Sequence, residues 1–464
     1  MPLRGLEEQA VLRRLARHGR LPRRAVTARH DVIVVGGGLA GLASAYALSE
    51  AGCSVRVLER REDVALETSF ANGGLLTPSM PEPWSTPGVH WQILKWLGRE
   101  DAPMLLRPAA LGHYLGWGVR FLAASAAAPF EAATRANYRL CTYSLGRLRA
   151  WRAALVLEYA VGTRGTLTLY RERAAFERAV AAVGTLSPLG LECAALDADA
   201  AVRLEPLLDE TRGSIAGAIH YPADETGDAW LFCRALRERL VARGVEVSCG
   251  RTVRRLRVAG RRVLGVDTAG GREPASHVVV AAGPWSTALL AGCGVRLQIR
   301  PVKGYSLSVP SVPSVRGPTL GLVDDALHAV MTPLGATLRL AGTAEFGGFD
   351  RALRVGRVQA LWKLLAALSP SLARAVDRDA ATAWCGLRPM SADGKPYIGA
   401  TPIAGLYVNT GHGHLGWTQA AGSASLLAQL LTGTPTAIDP RPFALGRSER
   451  RAPQAGAHPM EQHS

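Results

Sequence analysis

Along most of the chain, apolar and polar residues alternate in the manner of mixed strands and helices, but three stretches share one stronger pattern. From His30 to Gly52 the chain reads HDVIVVGGGLAGLASAYALSEAG. A run of β-branched residues predicts a buried strand, a glycine turn follows, and small residues then build a helix that stops at a glycine cap. SVRVLE, ending in Glu59, predicts a second strand. HVVVAAGPWS, from His277 to Ser286, repeats a buried strand with a turn of small residues. LYVNTGHGHLGWTQAAGSASLLAQLL returns to strand, glycine turn through Gly411, Gly413 and Gly416, and a helix. Two other patterns predict ordinary scaffolding. LGHYLGWGVRFLAASAAA, from Leu111 to Ala128, carries His113 and Arg120 and is too polar to span a bilayer alone. It is expected to be a domain helix, with contact to a membrane surface the other reading. RTVRRLRVAGRRV, from Arg251 to Val263, predicts a solvated hairpin, and it lacks the interleaved aromatics that RNA binding would use.

The first glycine turn carries specific chemistry. Gly36 permits the tight turn, Gly38 lets backbone approach a pyrophosphate, and Gly41 lets the helix pack closely on its strand. The amides around Leu39 and Ala40 then sit at a helix N-terminus, where unpaired N–H groups and the macrodipole stabilise a diphosphate without a lysine. Glu59 stands about twenty residues further on, where the dinucleotide fingerprint places an acceptor for ribose hydroxyls, and it would repel a 2′-phosphate. Strand, spacing, helix and acid agree on a bound dinucleotide, but they fit FAD and NAD equally. The loop RREDVALETSFANGGLLTPS separates them. Arg60, Thr68, Ser69, Asn72 and Gly73 offer hydroxyl, amide and close backbone contacts to a large cofactor. The turns at Ala282, Gly283 and Trp285 and at Gly411, Gly413, Leu415, Gly416, Trp417 and Thr418 offer more, so FAD is the expected cofactor.

Composition narrows the class. The chain has 464 residues, 48% of them apolar and 20% charged, which excludes global disorder. Its net charge of +16, from 54 basic and 38 acidic residues, is concentrated in arginines, many in the first 29 residues. That distribution speaks against nucleic acid as a partner. Residues 1–29 have no apolar core of a secretory signal and are expected to form a disordered basic extension, with a transit-like role or a misassigned start as alternatives. Seven scattered cysteines lack zinc-site spacing and point to a reducing cytosol. His412 and His414 have no third ligand nearby, so no metal is expected.

Several segments, in order, carry a family resemblance: ALETSFANGG, EPWSTPGV, DETGD ending at Asp228, PVKGYSL, GLRPMSADGKPYIG and NTGHGHLGWT. Across about Asp31 to Pro440 the chain resembles the D-amino acid oxidase superfamily of FAD enzymes, and within it the bacterial D-amino acid dehydrogenases. The resemblance implies an α/β (α+β overall) fold, in which a discontinuous Rossmann-type FAD-binding domain is interleaved with a mixed-sheet substrate domain. It assigns 30–105, 221–292 and 385–440 to FAD, 106–220 and 293–384 to substrate, and 441–464 to a tail. It places the carboxylate-binding arginine of GLRP at Arg388, beside Gly386, and the flavin-lining residues at Tyr305 and His412. Val253 would supply a backbone contact to adenine. Arg388 suits that role because a planar guanidinium gives two parallel hydrogen bonds to a carboxylate.

The implied reaction is oxidation of a D-amino acid by hydride transfer from its α-carbon to flavin, the imino acid hydrolysing to a 2-oxo acid and ammonia. Electrons would pass to a quinone, in a cytoplasmic enzyme able to lie at the inner face of the membrane. Asn72-Gly73-Gly74-Leu75 and His414 depart from the family pattern near the flavin, which leaves substrate preference and acceptor open. An oxygen-using oxidase of glycine, sarcosine or another secondary amine is the nearest alternative. A non-catalytic flavin-binding subunit and a nicotinamide-dependent dehydrogenase belong to other classes.

Overall fold

A computed structural model of the chain describes residues 31–447 except 97, 98 and 101. The expected basic extension 1–29 and the tail beyond 447 lie outside the described residues.

The strand Asp31–Val35 forms as the apolar run predicts, with Val32, Ile33 and Val34 fully buried. It lies at the heart of a six-stranded sheet, because residues buried on both faces suit only a sheet covered on both sides. The strand order is Tyr397–Ala400, Leu406–Thr410, His277–Val280, Asp31–Val35, Ser54–Leu58 and Glu246–Ser248. All neighbours run parallel except the first pair. The helices Leu39–Glu50 and Gly416–Thr432 share one core, in which Leu42 and Ala45 meet Ala420, Ala424 and Leu427. Asn409 Nδ2 donates to Ser44 Oγ at 2.9 Å and ties the last strand to the first helix.

A nine-stranded mixed sheet forms the second layer. Its order is Thr382–Ser391, Ile299–Pro310, Thr337–Phe346, Ala329–Leu334, Gly321–Asp324, Thr166–Tyr170, Gly217–Tyr221 and Ala194–Leu196, with Met104–Leu106 added on Thr337–Phe346. The segments Met104–Leu106 and Thr382–Ser391 both pair here, although the expected boundaries at 105 and 385 cut through them. Thr382–Ser391 runs antiparallel to Ile299–Pro310 over ten residue pairs, from Ile299↔Ser391 to Ser308↔Thr382. Within a few residues of Ser391 the chain enters the edge strand of the six-stranded sheet. This one strand therefore carries the second sheet's surface up to the first.

The basic hairpin forms from Val253–Ala259 and Arg262–Thr268, with Arg254, Arg255, Arg261 and Arg262 exposed. The helix Leu111–Ala124 buries Tyr114, Trp117 and Phe121. Among the described residues no helix is long and apolar enough to cross a membrane.

Behind the second sheet a buried ionic network fixes adjacent strands. Glu345 accepts from Tyr305 Oη at 2.6 Å and Arg107 Nε at 2.9 Å, and Lys303 Nζ lies 3.3 Å from its carboxylate. Lys303 and Glu345 are fully buried, so removing Glu345 leaves the buried ammonium only the partly exposed Asp350, 3.0 Å away, whereas removing both leaves mainly a packing problem. Glu345→Leu is expected to destabilise the fold by about 3–5 kcal/mol, and Lys303→Met combined with it to recover part of the loss. Urea unfolding midpoints of the two variants check this; equal midpoints would show that Lys303 does not depend on Glu345.

Candidate active site

One cavity of about 970 Å³ opens where the two sheets meet. Its first half is the glycine cradle. Gly36 adopts φ +112°, and a Cβ there would fall 2.6 Å from the Ala281 carbonyl oxygen, so only glycine fits. A Cβ at Gly41 would fall 1.8 Å from the Gly36 carbonyl oxygen, which is how closely the helix rides on its turn. The first bond of the helix ladder runs from Leu42 N–H to the Gly38 carbonyl, leaving the preceding amides without a partner in the helix ladder. Leu39 N–H donates to Ser69 Oγ at 3.2 Å. Glu59 follows directly after its strand, which ends at Leu58, and accepts from Gly37 N–H at 2.6 Å and Arg61 N–H at 2.9 Å. Each carboxylate oxygen keeps lone-pair capacity for a ribose hydroxyl.

The expected cofactor contacts converge on this space. Gly36, Gly38, Leu39, Ala40, Glu59, Arg60, Thr68, Ser69, Asn72, Gly73, Val253, Ala282, Gly283 and Trp285 all line it. Gly386, Gly413, Leu415, Gly416, Trp417 and Thr418 line it from the other side. Gly41 and Gly411 do not line it; Gly41 serves helix packing and Gly411, at φ +84°, lies against Ile299. Arg60 stacks 3.6 Å over the Trp285 ring and pairs with Glu67, closing one end. Thr68 Oγ1 donates to the Leu387 carbonyl at 2.7 Å, joining the cofactor loop to the strand that carries Arg388.

The second half is built on that strand. Gly304 and Gly386 face each other across the ladder and leave a hollow in the sheet. Trp384 and Arg388 lean into it: a Cβ on Gly386 would meet the Trp384 ring at 2.0 Å, and one on Gly304 would meet Arg388 Nη1 at 2.1 Å. Arg388 donates to the Thr343 carbonyl at 3.1 Å and lies 5.4 Å from the Trp84 ring centroid. Thr343 holds φ +59° beside an irregularity in the ladder, a conformation that costs a threonine energy and turns its carbonyl toward the guanidinium. Among the described residues no carboxylate forms an ion pair with Arg388. Burial pushes its pKa down to about 10, so it stays cationic at neutral pH.

His412 and His414 reach the same space. Burial holds His412 down to about 4 and His414 down to about 3, the latter helped by Arg388 nearby, so both rings are neutral at pH 7. His412 Nε2 has no partner among the described residues, and His414 stacks on Trp84 at 5.2 Å between centroids. Tyr305 lines the cavity, but its ring packs in the apolar core with Leu307 and its hydroxyl is committed to Glu345. Glu82, Trp84 and Gly304 also line the cavity and were not singled out from sequence. The signal lay in the quoted segments EPWSTPGV and PVKGYSL, which place each of them next to rigid or small neighbours. Among the described residues no His, Cys, Asp and Glu cluster could hold a metal.

A nucleotide cradle on one sheet, joined to a carboxylate-sized cationic hollow on another, defines an FAD-dependent oxidoreductase. Residues 31–430 match the family described as DAO: FAD dependent oxidoreductase, and the chain belongs to it. It is 39% identical over 416 residues to a protein of Allorhizobium ampelinum named D-amino acid dehydrogenase, covering 90% of this chain and 98% of that one. To the protein of the same name from Paramagnetospirillum magneticum it is 41% identical over 408 residues, covering 88% and 96%. Its fold is similar to glycine oxidase from Geobacillus kaustophilus, with TM-score 0.70, 24% identity and coverage of 90% and 99%. L-proline dehydrogenase from P. horikoshii gives TM-score 0.70 at 17% identity, covering 91% and 99%. At these identities the two structures show the fold alone.

Gly304→Ala tests the hollow. The added methyl would displace the Arg388 guanidinium, so carboxylate ligands such as benzoate should bind at least tenfold more weakly while FAD content is unchanged. Titration of the flavin absorption band reads both; unchanged benzoate affinity would show that the hollow does not position Arg388.

Proposed function

We propose that the enzyme oxidises D-amino acids to imino acids, which hydrolyse to 2-oxo acids and ammonia. The single observation that carries this reading is Arg388, a buried guanidinium facing a flavin-sized cavity with no anion of its own, in a chain whose curated relatives are named D-amino acid dehydrogenase. When bound, FAD supplies the acceptor for the α-hydrogen and its electron pair.

The protein's part is orientation. Arg388 takes the substrate carboxylate in two charge-assisted hydrogen bonds, and the Thr343 carbonyl with the Trp84 face keeps the guanidinium from swinging away. Neutral His412 offers its unpartnered Nε2 as a hydrogen-bonding group without competing for the carboxylate. Cofactor loop and anchor are held in one frame by the Thr68–Leu387 bond. The interleaving of a cofactor domain and a substrate domain belongs to the same proposal. So does a quinone as final acceptor. Leu115 and Val119 lie on the outer face of the helix Leu111–Ala124, 69% and 70% exposed, and suit contact with the membrane surface where quinones reside. Seven free thiols suit a cytoplasmic enzyme lying at its inner face.

Anaerobic mixing of the FAD-loaded enzyme with D- and L-amino acids, glycine and sarcosine should bleach the flavin with D-enantiomers; bleaching by L-enantiomers alone would refute the reading. Arg388→Ala should raise KM roughly 100-fold, from the loss of charge-assisted bonds worth about 1.5–3 kcal/mol each, with the yellow colour retained. An unchanged KM would remove Arg388 from the site.

Because both histidines are already neutral, His412→Asn is expected to leave the shape of the pH profile of flavin reduction between pH 5 and 8 unaltered. An acid limb near pH 6.5 that vanishes in this variant would contradict it.

A further inference from the structure

The cavity that Arg388 lines is also lined by a second group of elements. They are the strands Thr166–Tyr170 and Gly217–Tyr221 and the helix Arg173–Val183, which contribute Thr168, Tyr170, Tyr221, Ala179 and Val183. These walls are largely apolar, and the two tyrosines belong to a small core cluster of their own.

Glu82 lines the cavity together with Arg388 and these walls. Its backbone is hydrogen-bonded to the His414 ring, and His414 stacks on Trp84, the indole over which Arg388 lies. Burial holds the hydroxyls of Tyr170 and Tyr221 above their ordinary pKa, and the charge of Glu82 adds to this at both, after that of Asp325 at Tyr170. Pro81 and Pro83 flank Glu82 and restrict its backbone. Of the other carboxylates near it, Asp325 also lines the cavity, with His328 and Arg178 close enough to offset part of the effect of burial, and the rest are satisfied. Asp224 accepts from Ser79 Oγ and Thr166 Oγ1, and Glu225 pairs with Arg149 and Arg152. The Glu82 carboxylate accepts from its own backbone N–H and has no ion-pair partner among the described residues. Burial pushes it up to about 7, as expected of a carboxylate without a counter-charge.

An unpaired buried carboxylate is costly unless a cation arrives with the ligand. A D-amino acid offers two places for that cation, the α-amine and the side chain. An anion held against the α-amine would favour its protonated form, which has no lone pair to release as the α-hydrogen leaves. A side-chain cation carries no such penalty, and the apolar walls suit the methylene stem that would lead to it. We propose that Glu82 is a specificity-determining residue that binds the cationic side chain of a basic D-amino acid, of the lysine, ornithine or arginine type, whose α-carboxylate rests on Arg388. The inference rests on the D-amino acid oxidation proposed above.

The test compares kcat/KM for D-lysine with that for D-norleucine, which keeps the stem and lacks the charge, and with that for Nε-acetyl-D-lysine. The FAD-loaded wild-type enzyme is expected to favour D-lysine at least tenfold over both. Glu82→Gln should reduce the D-lysine to D-norleucine ratio at least tenfold, and Glu82→Lys should shift preference toward D-glutamate. A wild-type ratio near one, with D-norleucine and D-alanine still reducing the flavin, would remove the subsite and leave D-amino acid oxidation standing. A ratio preserved in Glu82→Gln while both substrates slow equally would also overturn it. No flavin reduction by any D-amino acid would overturn the subsite and the activity together. The wild-type comparisons decide the matter even if a Glu82 variant fails to fold.

Discussion

A buried guanidinium without a counter-ion is expensive, and the arrangement around Arg388 is organised by that cost. Water is replaced by one carbonyl, from Thr343, and one aromatic face, from Trp84, which is less than a free arginine would gather in solvent. The remaining donors are directed into the cavity. Such a site selects anions by necessity, since only an incoming negative charge restores the lost stabilisation. The paired glycines Gly304 and Gly386 make the geometry possible, because any side chain at Gly304 would occupy the volume of the guanidinium.

The same strand explains why anchor and cofactor cradle meet. Thr382–Ser391 is held by the nine-stranded sheet through its full length, then delivers the chain to the edge of the six-stranded sheet. An isolated bridge between Met390 and His412 and the hydrogen bond from Thr68 to Leu387 close the gap from the other side. The glycine turn at Gly36 to Gly41 is rigid for a complementary reason, as its helix and strand approach too closely to admit a Cβ. Two stiff surfaces thus fix the distance between carboxylate anchor and flavin site. In catalysis by orientation, that distance is the quantity that matters.

The cradle was legible in sequence because its chemistry is local. Strand, turn, helix and Glu59 all fall within thirty residues, and each obeys its own spacing rule. Arg388 was legible only through the resemblance carried by GLRP, for nothing in an arginine-rich chain marks one arginine as unpaired. Glu82 and Trp84 were quoted within EPWSTPGV without a role, since they acquire one only against His414 and Arg388, far along the chain. Tyr305 shows the converse. Its neighbourhood in KGYS pointed to the flavin, and it does line the cavity, but its hydroxyl is committed to Glu345 and its ring joins the core. Residues that act through distant partners leave no periodicity to read.

The central claim is that Arg388 is kept without an anion so that a substrate carboxylate can supply one. A crystal structure of the FAD-loaded enzyme soaked with a 2-oxo acid product tests it most directly. The account predicts both carboxylate oxygens on the Arg388 guanidinium, at about 2.7–2.9 Å, with the α-carbon over the flavin. A carboxylate bound elsewhere in the cavity, with Arg388 still resting only on Thr343 and Trp84, would contradict it.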